Sequence, residues 1–325
     1  MYTVTLKGSH YEIGYQTGKT LHDQGWTIPE YIKEKNIQFA LKTRQKVKSI
    51  IPNLLEEIDG ISDGGGYNRH AILTLALTIG RIPGCTAIAV THKRTVDGKT
   101  VFARNYDAPP SCQEFGVFKT YPEDGLSHIG CCWDLLVGRE DGINEAGLAI
   151  ATNGVHGVYT DDPGVWDHIP VRAVLDSCEN MREAVNLLRR IPHLFTKNFL
   201  MADANGDIAI VEAAQQNVAV LYPESGLGVI TNHFESETMI QYNSPRREMF
   251  KTRERLRNAK AWLEEKRRLI GKGEMKRLLT DAKRGVCSDK EDFSTVWSWV
   301  AECKERSIEL ATGRPVTGNY NRCEF

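Results

Sequence analysis

Cys85 is the residue of this chain best placed to do covalent chemistry. It follows Pro83-Gly84 and opens the apolar run CTAIAV. The preceding glycine permits backbone angles closed to other residues. Taken alone, a cysteine in such a run is a small buried hydrophobe. Its sequence context changes that reading. After the turn signal Asp97-Gly98, a return strand ends in Arg104-Asn105-Tyr106-Asp107. If the two runs form one hairpin, an arginine and an aspartate lie beside the thiol. Unpaired charge at the end of a buried strand is costly, so both residues need a reason to be there. Two more apolar strands, IAIATN and GVITN, end in Asn153 and Asn232, whose amides can donate hydrogen bonds. Strand ends bearing Cys, Arg and Asp, Asn, and Asn point to one thiol site assembled across a sheet.

The elements that must position these residues follow from periodicity. Tyr2 to Leu6 alternates as a strand. Ser9 and Glu12 form a capping box for a helix to about His22, with Gly14 and Gly18 on one face. A helical stretch from Ile28 to about Ile61 is divided at Pro52, and Ile72 to Ile79 is a short helix. Strands fill Phe115 to Asn153. Two helices span Val171 to Arg190, separated near Glu179-Asn180. Phe199 to Ala213 is a hairpin about Asn205-Gly206, and Gly226 to Asn232 is a strand. Arg246 to Arg284 is helical, basic and read as a solvated face with aliphatic stems over the core. Thr295 to Ala301 and Ser307 to Ala311 close the chain as strands. Antiparallel hairpins outnumber βαβ units, which predicts an α+β fold of packed antiparallel sheets with helices outside. No linker is evident, so residues 1–325 read as a single domain.

Composition narrows the function classes. The chain has 325 residues, with 41 Lys and Arg against 42 Asp and Glu for a net charge of -1. That balance calls for neither nucleic acid nor an anionic membrane as partner. No run of 18 apolar residues exists, and the opening MYTVTLKGSHYEIG carries no secretory signal pattern. Eight cysteines without a CxxC pair fit a reducing compartment, so a soluble cytoplasmic protein is expected. GxGxxG, GxxxxGK[ST] and HExxH are absent. The nine histidines are scattered, and neither a metal nor a bound cofactor is expected. The match GISDG, Gly60 to Gly64, would put Ser62 at a nucleophile elbow, but it lacks the required preceding strand and reads as a loop after a helix. His156 and His233 lie near strand ends. They leave open a hydrolase in which an internal cysteine pairs with a histidine.

The motifs in order, LKGSHYEIGYQTG, LLEEIDGISDG, GCTAIAV, ARNYD, DGINEAGLAIATN, FLMADANGDIAIVEA, VITNHF and ELATGRPVTGNY, carry a resemblance. The chain resembles the cysteine branch of the N-terminal-nucleophile hydrolases. It is most similar to the acyl-coenzyme A:6-aminopenicillanic acid acyltransferase family, and more distantly to the choloylglycine hydrolase and penicillin V acylase family. The resemblance implies a four-layer αββα sandwich and a precursor that cuts itself between Gly84 and Cys85. Residues 1–84 would remain bound as a helical subunit and residues 85–325 would form the catalytic one. The freed α-amine of Cys85, with a reference pKa of about 7.7–8.0, would act as base to its own thiol. The thiolate would attack a linear amide, form a thioester and expel an amine.

The same resemblance gives Arg104 the task of favouring the thiolate and Asp107 that of orienting the new ammonium. Asn153 would stabilise the oxyanion, together with the Cys85–Thr86 backbone, and Asn232 would be a second polar positioner. Thr86 would assist processing or simply continue the strand. A further positioning arginine is expected downstream, best matched by Arg247, with Arg246 and Arg253 close by. Expected partners are a small acyl amide or an acylated amino acid or peptide, and the chain's own N-terminal fragment. A coenzyme A thioester stays open as acyl donor, and so does a homo-oligomer. The motifs do not name the acyl group: penicillins, acylated amino acids, small peptides and acyl-polyamines all fit. The rival reading is a noncatalytic or unprocessed protein that retains the fold.

Overall fold

The computed structural model describes residues 2–80, 83–109, 115–133, 137–157, 161–244, 249–266, 270–314 and 318–325. Its first strand, β1 (Tyr2–Gly8), leads into α1 (His10–Asp23), capped by Ser9 and Glu12 as a reciprocal box. Then come α2 (Glu34–Val47), α3 (Pro52–Gly65) and α4 (Arg69–Thr78). Pro52 is the first residue of α3, where a missing N–H costs nothing, so the long helical stretch is two helices. The first of them starts at Glu34 rather than Ile28. GISDG lies inside α3 rather than in a loop, and Ser62 donates to the Ile58 carbonyl at 3.1 Å. That disposes of an elbow in another way than the sequence suggested.

Two hairpin-rich sheets follow. One contains β2 (Gly84–Val90), β3 (Val101–Ala108), β11 (Leu227–Ile230), β12 (Ser294–Glu302), β13 (Ile308–Thr312) and β14 (Asn321–Cys323), in the order β11-β2-β3-β12-β13-β14. The other contains β4 (Gly116–Pro122), β5 (His128–Cys132), β6 (Asp141–Asn144), β7 (Ala149–Gly154), β8 (Lys197–Ala202), β9 (Ile208–Ala213) and β10 (Val218–Leu221). These run consecutively, and β1 is added parallel to β4 at the edge.

The inner faces of both sheets share one apolar core, including Cys85, Ala87, Ile129, Ala151, Leu200, Trp297 and Trp299. On the outer face of the larger sheet lie α1 to α4, α5 (His168–Ser177) and α6 (Met181–Arg190). The outer face of the smaller sheet is covered by α7 (Thr252–Lys266) and α8 (Lys272–Leu279). The fold is therefore the αββα sandwich expected, with antiparallel pairing throughout except at β1–β4. No described helix is long and apolar enough to cross a membrane.

The first 80 residues are fused to the rest by packing. Helices α1 and α3 touch backbone to backbone: a Cβ on Gly14 would fall 2.0 Å from the Glu57 carbonyl oxygen, and one on Gly60 2.2 Å from that of Tyr11. The Gly14 and Gly18 face of α1 therefore serves close backbone approach, with a Cβ on Gly18 falling 2.1 Å from the Ile61 carbonyl oxygen. Beneath it, Arg172 of α5 donates to both Glu57 carboxylate oxygens, at 3.1 and 2.8 Å, and to Asp176 through Nε. Both Arg172 and Glu57 are fully buried, and His10 lies 3.1 Å from Glu57. Burial opposes the Glu57 charge, but Arg172 and His10 outweigh it and hold the carboxyl below its usual range. Removing one member of a buried pair strands the other. Glu57→Leu should therefore lower the unfolding free energy by about 3–5 kcal/mol, read as a reduced urea midpoint. An unchanged midpoint would show that the pair does not hold the two parts together.

Candidate functional site

The β2–β3 hairpin sets Gly84 opposite Asp107, Cys85 opposite Tyr106 and Ala87 opposite Arg104. Side chains alternate across a strand, so Cys85, Ala87, Arg104 and Tyr106 face the space between the sheets. Thr86 and Asp107 face outward. Ala87 is small, which leaves the Arg104 guanidinium room to turn along the strand. Its Nη2 reaches Cys85 Sγ at 3.3 Å, Nη1 donates to Asn153 Oδ1, and Nε donates to Asp141 Oδ2 at 2.9 Å. Asp141 is fixed in turn by Trp297 Nε1 at 3.0 Å and Trp299 Nε1 at 2.8 Å.

A bulge in β12 between Thr295 and Trp297 makes both faces usable from one strand. Without it, residues two apart would point the same way. With it, Trp297 stacks on Tyr106 between the sheets, at 3.8 Å between centroids, while Thr295 donates to Asp107 Oδ1 at 2.6 Å on the outer side.

Asn232 spans Gly84 by bonding to the peptide groups on either side of it. Its Nδ2 donates to the Pro83 carbonyl at 3.0 Å, and its Oδ1 accepts from the Cys85 N–H at 3.0 Å. Arg255, three residues into α7, donates to Asn232 Oδ1 at 2.6 Å, to the Cys85 carbonyl at 2.7 Å and to Thr86 Oγ1 at 2.8 Å. Its Nη1 also lies 3.8 Å from Asp107 Oδ2. Asn153 Nδ2 lies within hydrogen-bond reach of the Cys85, Ile230 and Thr231 carbonyls, at 3.2, 3.1 and 3.3 Å. Gly84 itself sits against the stacked rings of Phe250 and Phe293, and a Cβ there would fall 2.9 Å from Phe293. Beside that stack opens a cavity of about 760 Å3 that reaches Asp107 and Arg255.

Cys85, Arg104, Asp107, Asn153, Asn232, Thr86 and Gly84 thus converge on one point. Arg247 and Arg246, like Cys112, lie outside the described residues. The arginine found at the site is Arg255. It was missed because α7 reads as a solvated basic helix, yet Arg255 falls on the buried stripe of Thr252, Leu256, Ala259 and Leu263. That register was the available signal. Asp141 was also missed, and its signal was an acid opening the buried strand DGIN. His233 Nδ1 lies within reach of the Thr252 hydroxyl at 2.9 Å and that of Thr231 at 3.2 Å, while among the described residues Arg104 reaches Sγ.

Burial dominates the electrostatics. It pushes the Cys85 thiol up to about 12 against the pull of Arg104 and Arg255. For Arg104 burial disfavours the charge, but Cys85, Asp141 and Glu140 outweigh it and raise its pKa. Burial also lifts the Asp107 carboxyl to about 6, against Arg255, Thr295 and Arg104. In the continuous chain the Cys85 thiol is therefore neutral.

The family described as acyl-coenzyme A:6-aminopenicillanic acid acyl-transferase matches residues 94–317, well over half of the chain. No curated protein matches at the sequence level. Among solved structures, a variant of the conjugated bile acid hydrolase from Clostridium perfringens is similar at a TM-score of 0.56 and 15% identity. That match covers 74% of this chain and 92% of the other. A Caenorhabditis elegans N-acylethanolamine-hydrolyzing acid amidase orthologue is similar at 0.50 and 18% identity, covering 67% and 93%. At these identities the likeness is one of fold.

Asp107 gives the uncut chain a pH signature. Its folded pKa of about 6 lies above the ordinary 3.8, so the folded state binds this proton more tightly. The resulting stability is fully present below about pH 4 and is lost as the pH rises through 6. Comparing Cys85→Ala with Cys85→Ala/Asp107→Asn should isolate a loss on the order of 2 kcal/mol over that window. Parallel stability profiles would refute the shift.

Proposed function

This chain belongs to the acyl-coenzyme A:6-aminopenicillanic acid acyl-transferase family, and on that footing we propose that it is a self-processing cysteine amidohydrolase or acyltransferase with Cys85 as nucleophile. The observation that carries this reading is the treatment of one internal peptide bond. Asn232 accepts from the N–H of the Gly84–Cys85 bond and donates to the carbonyl of the peptide group before it, Arg104 lies on Sγ, and Arg255 lies on the Cys85 carbonyl. A purely structural strand end has no use for so many convergent donors.

In processing, Sγ adds to the Gly84 carbonyl carbon and the Gly84–Cys85 C–N bond breaks. The thiol proton passes to the departing Cys85 nitrogen. Water then hydrolyses the thioester to the Gly84 carboxylate and restores the thiol. Residue 85 now carries an α-amine held where its N–H already meets Asn232 Oδ1. A neutral amine beside Sγ accepts the thiol proton at neutral pH, a general-base role. Asn232 Nδ2, released from the Pro83 carbonyl, becomes a donor for the oxyanion of an incoming amide, and Asn153 is the second amide at the site. Arg104 stabilises the thiolate and Asp107 orients the ammonium. Arg255 fills the positioning role for which Arg247 was expected. The acyl-enzyme thioester then passes its acyl group to water or to another amine, and a coenzyme A thioester is a candidate alternative donor.

Cys85→Ala should leave a single intact chain, whereas the native protein yields two fragments dividing before Cys85, read by intact mass. Asn232→Ala should slow processing or turnover about 10²–10³-fold, the usual cost of one oxyanion donor. A folded native chain that stays uncut and hydrolyses no amide would favour the noncatalytic reading instead.

A further inference from the structure

Gly84 is a glycine for want of space rather than for backbone freedom. Its φ lies outside the positive range that favours glycine, so an L residue could adopt the same backbone. What forbids a side chain is an aromatic pair. A Cβ on Gly84 would fall 2.9 Å from Cε1 and from Cζ of Phe293, and 3.1 Å from Cγ of Phe250. The two rings stack at 4.5 Å between centroids and 11° from parallel, so a group pushed against one also loads the other. Extra atoms forced into such packing displace their neighbours at a cost.

The pair is mounted on the parts that hold the nucleophile. Phe250 has φ 57° and ψ 25°, a left-handed conformation uncommon for a bulky residue, and Lys251 follows at φ 48°. Arg255 Nε donates to the Phe250 carbonyl at 2.8 Å, from the guanidinium that also meets the Cys85 carbonyl and Asn232. Phe293 stands in the turn that leads into β12. Ser288 Oγ donates to its carbonyl at 2.6 Å, and the Thr295 N–H donates to the Ser288 carbonyl at 2.8 Å. The Thr295 hydroxyl in turn donates to Asp107. Backbone strain persists where the surroundings over-determine it, and it clusters at functional sites. Here it aims one ring at the residue before the thiol, and both rings border the cavity of about 760 Å3.

We propose that Phe250 and Phe293 form a filter on the α-carbon of the acyl group, rejecting a branch of L configuration there. The inference rests on the amidohydrolase reading and identifies residues that set its acyl specificity. In processing, Gly84 is itself the acyl group, because its carbonyl carbon passes from the Cys85 nitrogen to Sγ. In turnover the substrate carbonyl carbon reaches the same Sγ, beside Arg104 Nη2, and forms the same thioester bond. Once the Gly84 carboxylate has withdrawn, the carbon next to the substrate carbonyl takes the place of Gly84 Cα. An L-branch on that carbon meets the stacked rings as a Cβ on Gly84 would. A methylene presents only a hydrogen to them.

Two arms test the filter. In the first, Gly84→Ala should slow processing at least about tenfold, followed by intact mass over time. Gly84→Ala/Phe293→Ala should recover most of that loss, with circular dichroism showing both variants folded. In the second, the processed protein is treated with the 4-nitrophenyl esters of N-acetylglycine and N-acetyl-L-alanine. Sγ adds to the ester carbonyl, 4-nitrophenolate leaves, the thiol proton passes to the α-amine, and water later releases the acid. Relative to free cysteine, the glycine ester should react at least about tenfold faster than the alanine ester. Phe293→Ala should bring that ratio close to the one for free cysteine. Gly84→Ala cutting at the native rate, a deficit that Phe293→Ala does not relieve, or an ester ratio that survives Phe293→Ala would each overturn the filter. Where Gly84→Ala fails to fold, the ester ratio decides. A native chain that stays uncut defeats the functional reading and the filter with it, whereas a chain that cuts and reacts with both esters alike defeats the filter alone.

Discussion

A fully buried guanidinium at Arg104 sets the terms for everything around it. A charge taken out of water costs several kcal/mol unless it is paired and its hydrogen bonds are met. Asp141 supplies the charge, Asn153 supplies a carbonyl oxygen, and Cys85 takes the remaining donor. Asp141 would itself be stranded without the two indole N–H groups of β12. The aromatic core between the sheets is thus a scaffold for one ion pair, and the pair fixes where the thiol stands. The β12 bulge belongs to the same arrangement, because it lets a single strand support Asp141 on one face and Asp107 on the other.

The second constraint comes from outside the sheet. Arg255 descends from α7, and Thr252 one turn earlier accepts from the Asn232 backbone N–H at 2.7 Å. The helix therefore places both the arginine and the strand end it meets. Two arginines approach residue 85 from opposite faces, one at the side chain and one at the carbonyl. Neither could exchange roles, since the sheet lies between them.

Much of this was legible in the sequence because it rests on local rules. Hairpin turns at Asp97-Gly98 and Asn205-Gly206, the Ser9 capping box and charged or amide residues ending apolar strands each carry their signal within a few positions. Cys85, Arg104, Asp107, Asn153 and Asn232 were found that way. Arg255 and Asp141 were not, because their meaning depends on contacts made far along the chain. Arg255 lies 170 residues from Cys85, in a segment whose composition is that of a solvated helix. GISDG failed in the opposite direction. Its glycines look like a loop, but they are spent on α1–α3 contact within a helix. A β-bulge such as that in β12 leaves no reliable trace in a run like STVWSWVAE, whose alternation looks regular.

The buried thiol explains why an internal cut fits this architecture. In the continuous chain Cys85 is deeply buried and neutral, and among the described residues its Sγ meets a cation, Arg104, rather than a base. In the proposed reaction, breaking the Gly84–Cys85 bond would supply a base without adding an atom from elsewhere, because the peptide nitrogen would become an amine in place. The same proposed event would free the Asn232 amide from the Pro83 carbonyl. The N-terminal segment need not leave, since β1 is paired along β4 and Glu57 is locked to Arg172. In the proposed reaction, cleavage therefore alters one Asn232 hydrogen bond and one pKa at a site whose remaining parts are already in position. That economy is what the rigid Arg104 and Asn232 contacts make available.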